Sequence, residues 1–241
     1  MLVDGNSAKK IYGGQTVGIH KHPYQVSIQY KNHHICGGVI ISYEHILTAE
    51  SCISAKKNVF YGNLQVLVGS NDLLIGESPY HFEIHQVANI ICHEEYNPLK
   101  NWINDIAILK VESPIVLVDA LIQTASIPVR GRISSKYFIT GWGINPVTNI
   151  MTRYLQRLDV KVITPKSCRD KYHNNVFSTQ YCLLPVLPNT GVTLGNGGSP
   201  VMSSRTVIGI ISIASIDIHK PVIHTRVYEY ADWIKQMIRK I

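Results

Sequence analysis

The feature that most narrows the fold of this chain is a succession of short alternating segments with turn residues between them. Gln25-Val26-Ser27-Ile28-Gln29 is apolar at every second position, the period of a strand with one face toward a core. Ile35 to Ile41 is a mixed apolar run broken by Gly37-Gly38, and Val59 to Val68, His81 to Val87 and Ile106 to Val111 continue the pattern, with Gly, Asn, Asp and Pro between them. Further on, Leu155 to Val162, Val207 to Ile213 and Val222 to Val227 read the same way, and Leu158, Val160 and Val162 are expected to face in while Arg157, Asp159 and Lys161 face out. Strands spaced like this, with almost no helical period, predict an all-β barrel architecture. The exception is Tyr228 to Ile241, where Ala231, Ile234, Met237, Ile238 and Ile241 recur on one face of a helix.

Length and charge limit what such a fold can do. A chain of 241 residues is long enough for a double barrel, and 45% hydrophobic residues with 16% charged exclude disorder. No apolar run reaches the ~18 residues of a membrane span, and Met1-Leu2-Val3-Asp4-Gly5 does not read as a signal peptide. The net charge of +7 is concentrated in residues 130 to 171, where Arg130, Arg132, Lys136, Arg153, Arg157, Lys161, Lys166, Arg169 and Lys171 face only Asp159 and Asp170. That segment suits an acidic partner or a sulfated glycan, or else is a solvated strand face; no nucleic-acid motif accompanies it. His81, Glu83 and His85 share a strand face at spacing two, which could hold a metal. Their alternation with Phe82 and Ile84 is what the exposed side of a half-buried strand requires, so no metal or cofactor is expected. Five cysteines cannot all pair within one chain, and Cys92, in Ile90-Ile91-Cys92, is expected to be a buried strand thiol.

Four motifs carry a more specific message. Gly195-Asn196-Gly197-Gly198-Ser199-Pro200, Leu47-Thr48-Ala49-Glu50-Ser51-Cys52, Asn104-Asp105-Ile106-Ala107-Ile108-Leu109 and Phe138-Ile139-Thr140-Gly141-Trp142-Gly143 together resemble the trypsin-like serine protease family. The resemblance implies two six-stranded antiparallel β-barrels with a C-terminal helix: a first barrel over roughly 24–118, a second over roughly 119–227 and the helix over 228–241. Residues 1–10, ending Lys9-Lys10 before Ile11-Tyr12-Gly13-Gly14, correspond to an activation peptide, and 11–241 to the protease-like domain. Cys36–Cys52 and Cys168–Cys182 are the implied disulfides, which point to a secreted protein.

The same resemblance exposes what is missing. Gly197 stands at the position of the nucleophilic serine and Ser51 at that of the general-base histidine, leaving Asp105 as the third member with no imidazole to orient. Asp105 is accordingly expected to be a half-buried carboxylate satisfied by backbone N–H groups or by Ser51. Beside the lost nucleophile, Gly195 and Asn196 occupy the oxyanion and activation loop; Asn196 replaces the aspartate that pairs with a freed N-terminal ammonium, and is expected to bond His34, the partner of Ser27. In the specificity pocket, Gly191 replaces a selecting aspartate, Ile213 and Ala214 replace Trp-Gly of the substrate-pairing segment, and Val222 replaces a glycine at the gate, so the pocket is expected to be filled. Joint loss of base, nucleophile and pocket is similar to the inactivated serine protease paralogues of the scabies mite. That likeness implies a secreted, catalytically dead binder of host proteins that inhibits complement. The rival readings are a cationic binder of sulfated glycans or microbial surfaces through residues 130–171, and a weak hydrolase using non-family residues.

Overall fold

The computed structural model describes residues 13–54, 63–74, 81–129, 136–173, 175–215 and 217–240. The activation-peptide-like segment, Ile11, Arg130, Arg132, the start of the Val59 segment and Ile241 lie outside these residues. After a two-residue strand β1 (Gln15–Thr16), the chain builds β2 (Gln25–Tyr30), β3 (His33–Ile40), β4 (His45–Thr48), a helical turn α1 (Ser51–Ser54), β5 (Leu64–Val68), β6 (Glu83–Cys92) and β7 (Ala107–Val111). These strands close in the order β2-β3-β4-β7-β6-β5, the ring being completed where Ser27 of β2 pairs with Leu67 of β5. Val26, Ile28, Val39, Ile46, Leu47, Val66 and Ile108 fill it with no exposed surface.

The second half contains β8 (Tyr137–Gly141), β9 (Gln156–Val162), α2 (Pro165–Lys171), β10 (Gln180–Pro185), β11 (Pro200–Ser203), β12 (Thr206–Ile213) and β13 (Val222–Arg226), and α3 (Ala231–Lys240) follows a 3-10 turn. Here the order is β1-β9-β10-β13-β12-β11-β8, and β8 also pairs with β9, so six strands form a second closed barrel with β1 added outside β9. The fold is therefore two six-stranded antiparallel barrels with a C-terminal helix, as the resemblance implies. Polar side chains join the barrels: Thr140 Oγ1 donates to Gln25 Oε1 at 2.7 Å, a contact between fully buried residues. Helix α3 returns to the first barrel, where Ile234 joins its core and Met237 and Ile238 pack against it.

Three features depart from the sequence reading. On β6 the inner face carries His85 and Val87 while Ile84 and Gln86 point out, the reverse of the expected alternation. The buried imidazole is tolerated because Glu83 Oε2 lies 2.7 Å from Nε2 and both oxygens of Ser113 lie 3.1 Å from Nδ1. A bulge between Val87 and Asn89 then resets the strand's facing, and Cys92 at its end is exposed rather than a buried thiol. Third, α2 was hidden by its shortness; its signals are Thr164, whose hydroxyl accepts from Ser167 N at 3.2 Å, and Pro165 in the first turn.

Candidate functional site

The positions singled out by the motifs converge where the barrels meet. β4 runs into Ala49-Glu50 and then α1, which begins at Ser51 and is tied to β3 by the Cys36–Cys52 disulfide. Opposite it, Asn104 takes a left-handed backbone at φ 59°, a conformation that asparagine adopts at low cost, and is held by the Tyr230 hydroxyl at 2.7 Å and the Glu95 carbonyl at 2.9 Å. That turn aims Asp105 at Ser51. Asp105 Oδ1 accepts from Ser51 N at 2.7 Å, and Oδ2 accepts from Ser51 Oγ at 2.9 Å and Ser212 Oγ at 2.5 Å. The carboxyl is fully buried, not half-buried, because Ser212 and Thr225, which donates to the Asp105 carbonyl at 2.9 Å, close over it from β12 and β13. Burial pushes the carboxyl above its ordinary range, opposed by the hydrogen bonds from Ser212, from Ser51 and from the Glu50 backbone.

A second carboxylate stands beside the first. Glu50 is buried, accepts from His93 N at 3.0 Å and from the Cys92 thiol, and burial pushes it up to about 7. The same desolvation, with Glu50 adjoining, pushes the Cys92 thiol up to about 11 although the residue as a whole is exposed. Neither Ser212 nor Glu50 was assigned a role from sequence. The signal for Glu50 was a charged residue one place before Ser51 in an otherwise apolar run.

At Gly197 there is no side chain, yet there is room for one: an added Cβ would meet only the Cys36 and Cys52 sulfurs, at 3.5 and 3.6 Å. Ser199 is wholly buried, wedged where Cβ atoms on Gly37 and Gly141 would come within 2.1 and 2.6 Å of its Oγ. Asn196 is equally buried, donates from Nδ2 to Thr193 O at 3.1 Å, and among the described residues its Oδ1 has no partner. His34 does lie 2.8 Å from Ser27 Oγ through Nδ1, but its Nε2 meets the carbonyl of Gly195 at 3.1 Å instead of Asn196. Gly195, at φ +92°, turns its carbonyl to the imidazole while the Asn196 amide folds back on Thr193. His34 therefore donates from Nε2 and accepts the Ser27 hydroxyl at Nδ1.

The sequence profile described as Trypsin matches residues 11–234. The chain belongs to the trypsin family. It is 33% identical to Trypsin-4 of Rattus norvegicus over 240 residues, covering 96% of this chain and 91% of that protein. Cationic trypsin-3 of Rattus norvegicus is 30% identical over 234 residues (95% and 90% covered), and a trypsin of Phaedon cochleariae is 29% identical over 241 residues (97% and 90% covered).

At the positions that the resemblance assigns to a substrate pocket, the chain packs its own side chains. A Cβ on Gly191 would fall 2.6 Å from Ile218 Cβ, so that half-buried isoleucine lies directly on Gly191. Val222 is buried in one apolar cluster with Val192, and Ala214 packs against them. Ile213 leans instead on Ile223 and the Cys168–Cys182 disulfide. Ile218 was missed in the sequence, because only the loop's fold brings it back over Gly191.

The basic segment is partly spent internally. Arg153 forks onto Asp72, with Nη2 to Oδ2 at 2.8 Å and Nε to Oδ1 at 2.9 Å, and Arg157 pairs with Asp159 at 2.9 Å while stacking 4.0 Å from the Phe138 ring centroid. Among the described residues, Lys161 on β9 and Lys166, Arg169 and Lys171 on α2 form no ion pair. Glu83 reaches both His81, at 3.2 Å, and His85; among the described residues no three His, Cys, Asp or Glu side chains are arranged to hold a metal ion.

Proposed function

We propose that this trypsin-family chain has no peptidase activity and acts as a secreted binding protein. The observation that carries the reading is the closure of Ser51 and Ser212 onto Asp105. A base would have to stand between this carboxylate and residue 197, and a hydroxyl that donates to the carboxylate cannot take up a proton near neutral pH. With glycine at 197 no acyl-enzyme can form, and Ile218 over Gly191 leaves no room for a substrate side chain. Ser199, fully buried, argues against a hydrolase with substitute residues. Two disulfides fit an oxidising compartment.

Following the likeness to the scabies mite paralogues, the partner is a host serum protein, and the consequence of binding is inhibition of complement. The test is a matched pair of assays on the purified chain, a fluorogenic peptide panel against an active trypsin and a complement-lysis assay in serum. No turnover with dose-dependent inhibition of lysis is expected. Turnover would overturn the first half of the reading, and unimpaired lysis with no complement component captured from serum would overturn the second.

A further inference from the structure

We propose that the basin between Lys21, the Asp119-Ala120 turn and the Ser204-Arg205 turn binds a sugar carrying a sulfate or phosphate ester. The site shares no residue with the former active site and goes beyond the function proposed above. It is a cavity of about 360 Å³ lined by His20, Lys21, Asp119, Gln123, Ser204 and Arg205, with Tyr24 at its inner wall. Small-molecule sites begin at roughly 300 Å³, so a monosaccharide fits the scale.

Charge selects the ligand. Lys21 and Arg205 form no ion pair among the described residues, although Asp119 lines the same basin. Behind the basin, burial with the charges of Arg157 and Lys21 holds His22 down to about 4. Two unpaired cations call for a tetrahedral oxyanion, which an ammonium and a guanidinium bind with charge-assisted hydrogen bonds. A carboxylate beside them calls for something more, because Asp119 repels a bare anion and can only accept from a donor. A sugar ester supplies both an oxyanion and hydroxyl donors. Gln123 and Ser204 can each give or take a hydrogen bond to the remaining hydroxyls.

The backbone frame is built for rigidity. Gln123 N donates to Pro23 O at 2.9 Å, Ser126 N to Arg205 O at 2.9 Å and Val207 N to Ser126 O at 3.0 Å, so three distant stretches of chain are fixed together around the basin. Its two turns carry non-glycine residues in the left-handed region, Ala120 at φ 61° and Ser204 at φ 55°, where such turns ordinarily take glycine.

Isothermal titration of the full chain with glucose 6-sulfate, glucose 6-phosphate, sodium sulfate, sodium phosphate and glucose, at low and high salt, tests this. One of the two esters should bind one-to-one and more tightly than its inorganic ion or glucose, and which ester prevails identifies the source. Lys21→Ala with Arg205→Ala should weaken it by about tenfold or more, and Arg205→Lys, which keeps charge but loses the fork, by a few-fold. Asp119→Asn should narrow the gap between ester and inorganic ion. Lys166→Ala with Lys171→Ala, the same charge change on α2, should leave binding unchanged. The proposal is overturned if no probe binds at low salt, if inorganic ions bind as well as esters, or if both double variants weaken binding equally, the signature of a diffuse field.

Discussion

Glu50→Gln should make the protein more stable above neutral pH and change little below pH 4.5. In the folded chain burial pushes this carboxyl from an ordinary 4.5 up to about 7. The folded state therefore holds a proton that the unfolded chain releases, and the stability tied to it is whole below pH 4.5 and lost as pH rises through 7. A difference of about 2.5 units at about 1.4 kcal/mol each puts the cost of the ionised group at roughly 3 kcal/mol at pH 8. Glutamine keeps the shape and one oxygen, so His93 N–H retains an acceptor, and it never ionises. Other buried groups titrate too. Asp105, raised by burial, has the same sign, whereas His22 and His224, held down to about 4 chiefly by burial, lose stability as pH falls from 6.5 through 4. The histidines are common to both proteins and cancel in the difference, while Asp105, which feels the Glu50 charge, is relieved of it in the variant and shifts the gap in the same direction. Urea unfolding at pH 4.5, 6, 7 and 8, extrapolated linearly to water, reads the gap directly. A gap that opens by roughly 3 kcal/mol toward alkaline pH is expected, and a constant offset at all four values would refute the burial argument.

Restoring the triad with Ser51→His and Gly197→Ser should fit sterically, since the added Cβ at 197 meets only the two sulfurs at ordinary distance, yet tripeptide hydrolysis should stay near background because Asn196 and Ile218 are unchanged. Loss of such a triad costs about 10⁶ in turnover, and adding Asn196→Asp, Val222→Gly and Ile218→Gly should be the minimum for measurable recovery; trypsin-like rates from the double variant alone would contradict this. Cys92, exposed but pushed up to about 11, should react with iodoacetamide about a hundredfold more slowly at pH 8 than a thiol at the ordinary 9, and Glu50→Gln should speed it. Mass-spectrometric alkylation rates check both statements, and an unperturbed rate in the native chain would contradict them.

The barrels were legible because alternation is a local signal: β2 and β9 each show it within six or seven residues. Face assignment failed on β6, where hydrogen bonds with Glu83 and Ser113 let His85 turn inward and a bulge shifted Cys92 out, neither of which a period of two can register. At the candidate site the motifs singled out Ser51, Asp105, Asn196 and Gly197 by their spacing, and the structure brings Ser51 onto Asp105. What they could not convey was who satisfies whom. Ser212 reaches Asp105 from 107 residues away, His34 selects the carbonyl of Gly195 over Asn196 by the twist of one glycine, and Ile218 covers Gly191 only after its loop folds back. Each depends on contacts between segments apart in sequence.

The most direct measurement of the central claim is intact-mass analysis after incubation with an excess of a fluorophosphonate, with active trypsin alongside. Such reagents phosphonylate a serine only where a neighbouring base activates it, so the probe reads the chemistry of the site without requiring that a peptide be accommodated. The account predicts full labelling of trypsin and an unshifted mass for this chain, before and after cleavage at Lys10-Ile11. A stoichiometric adduct on any serine would contradict it.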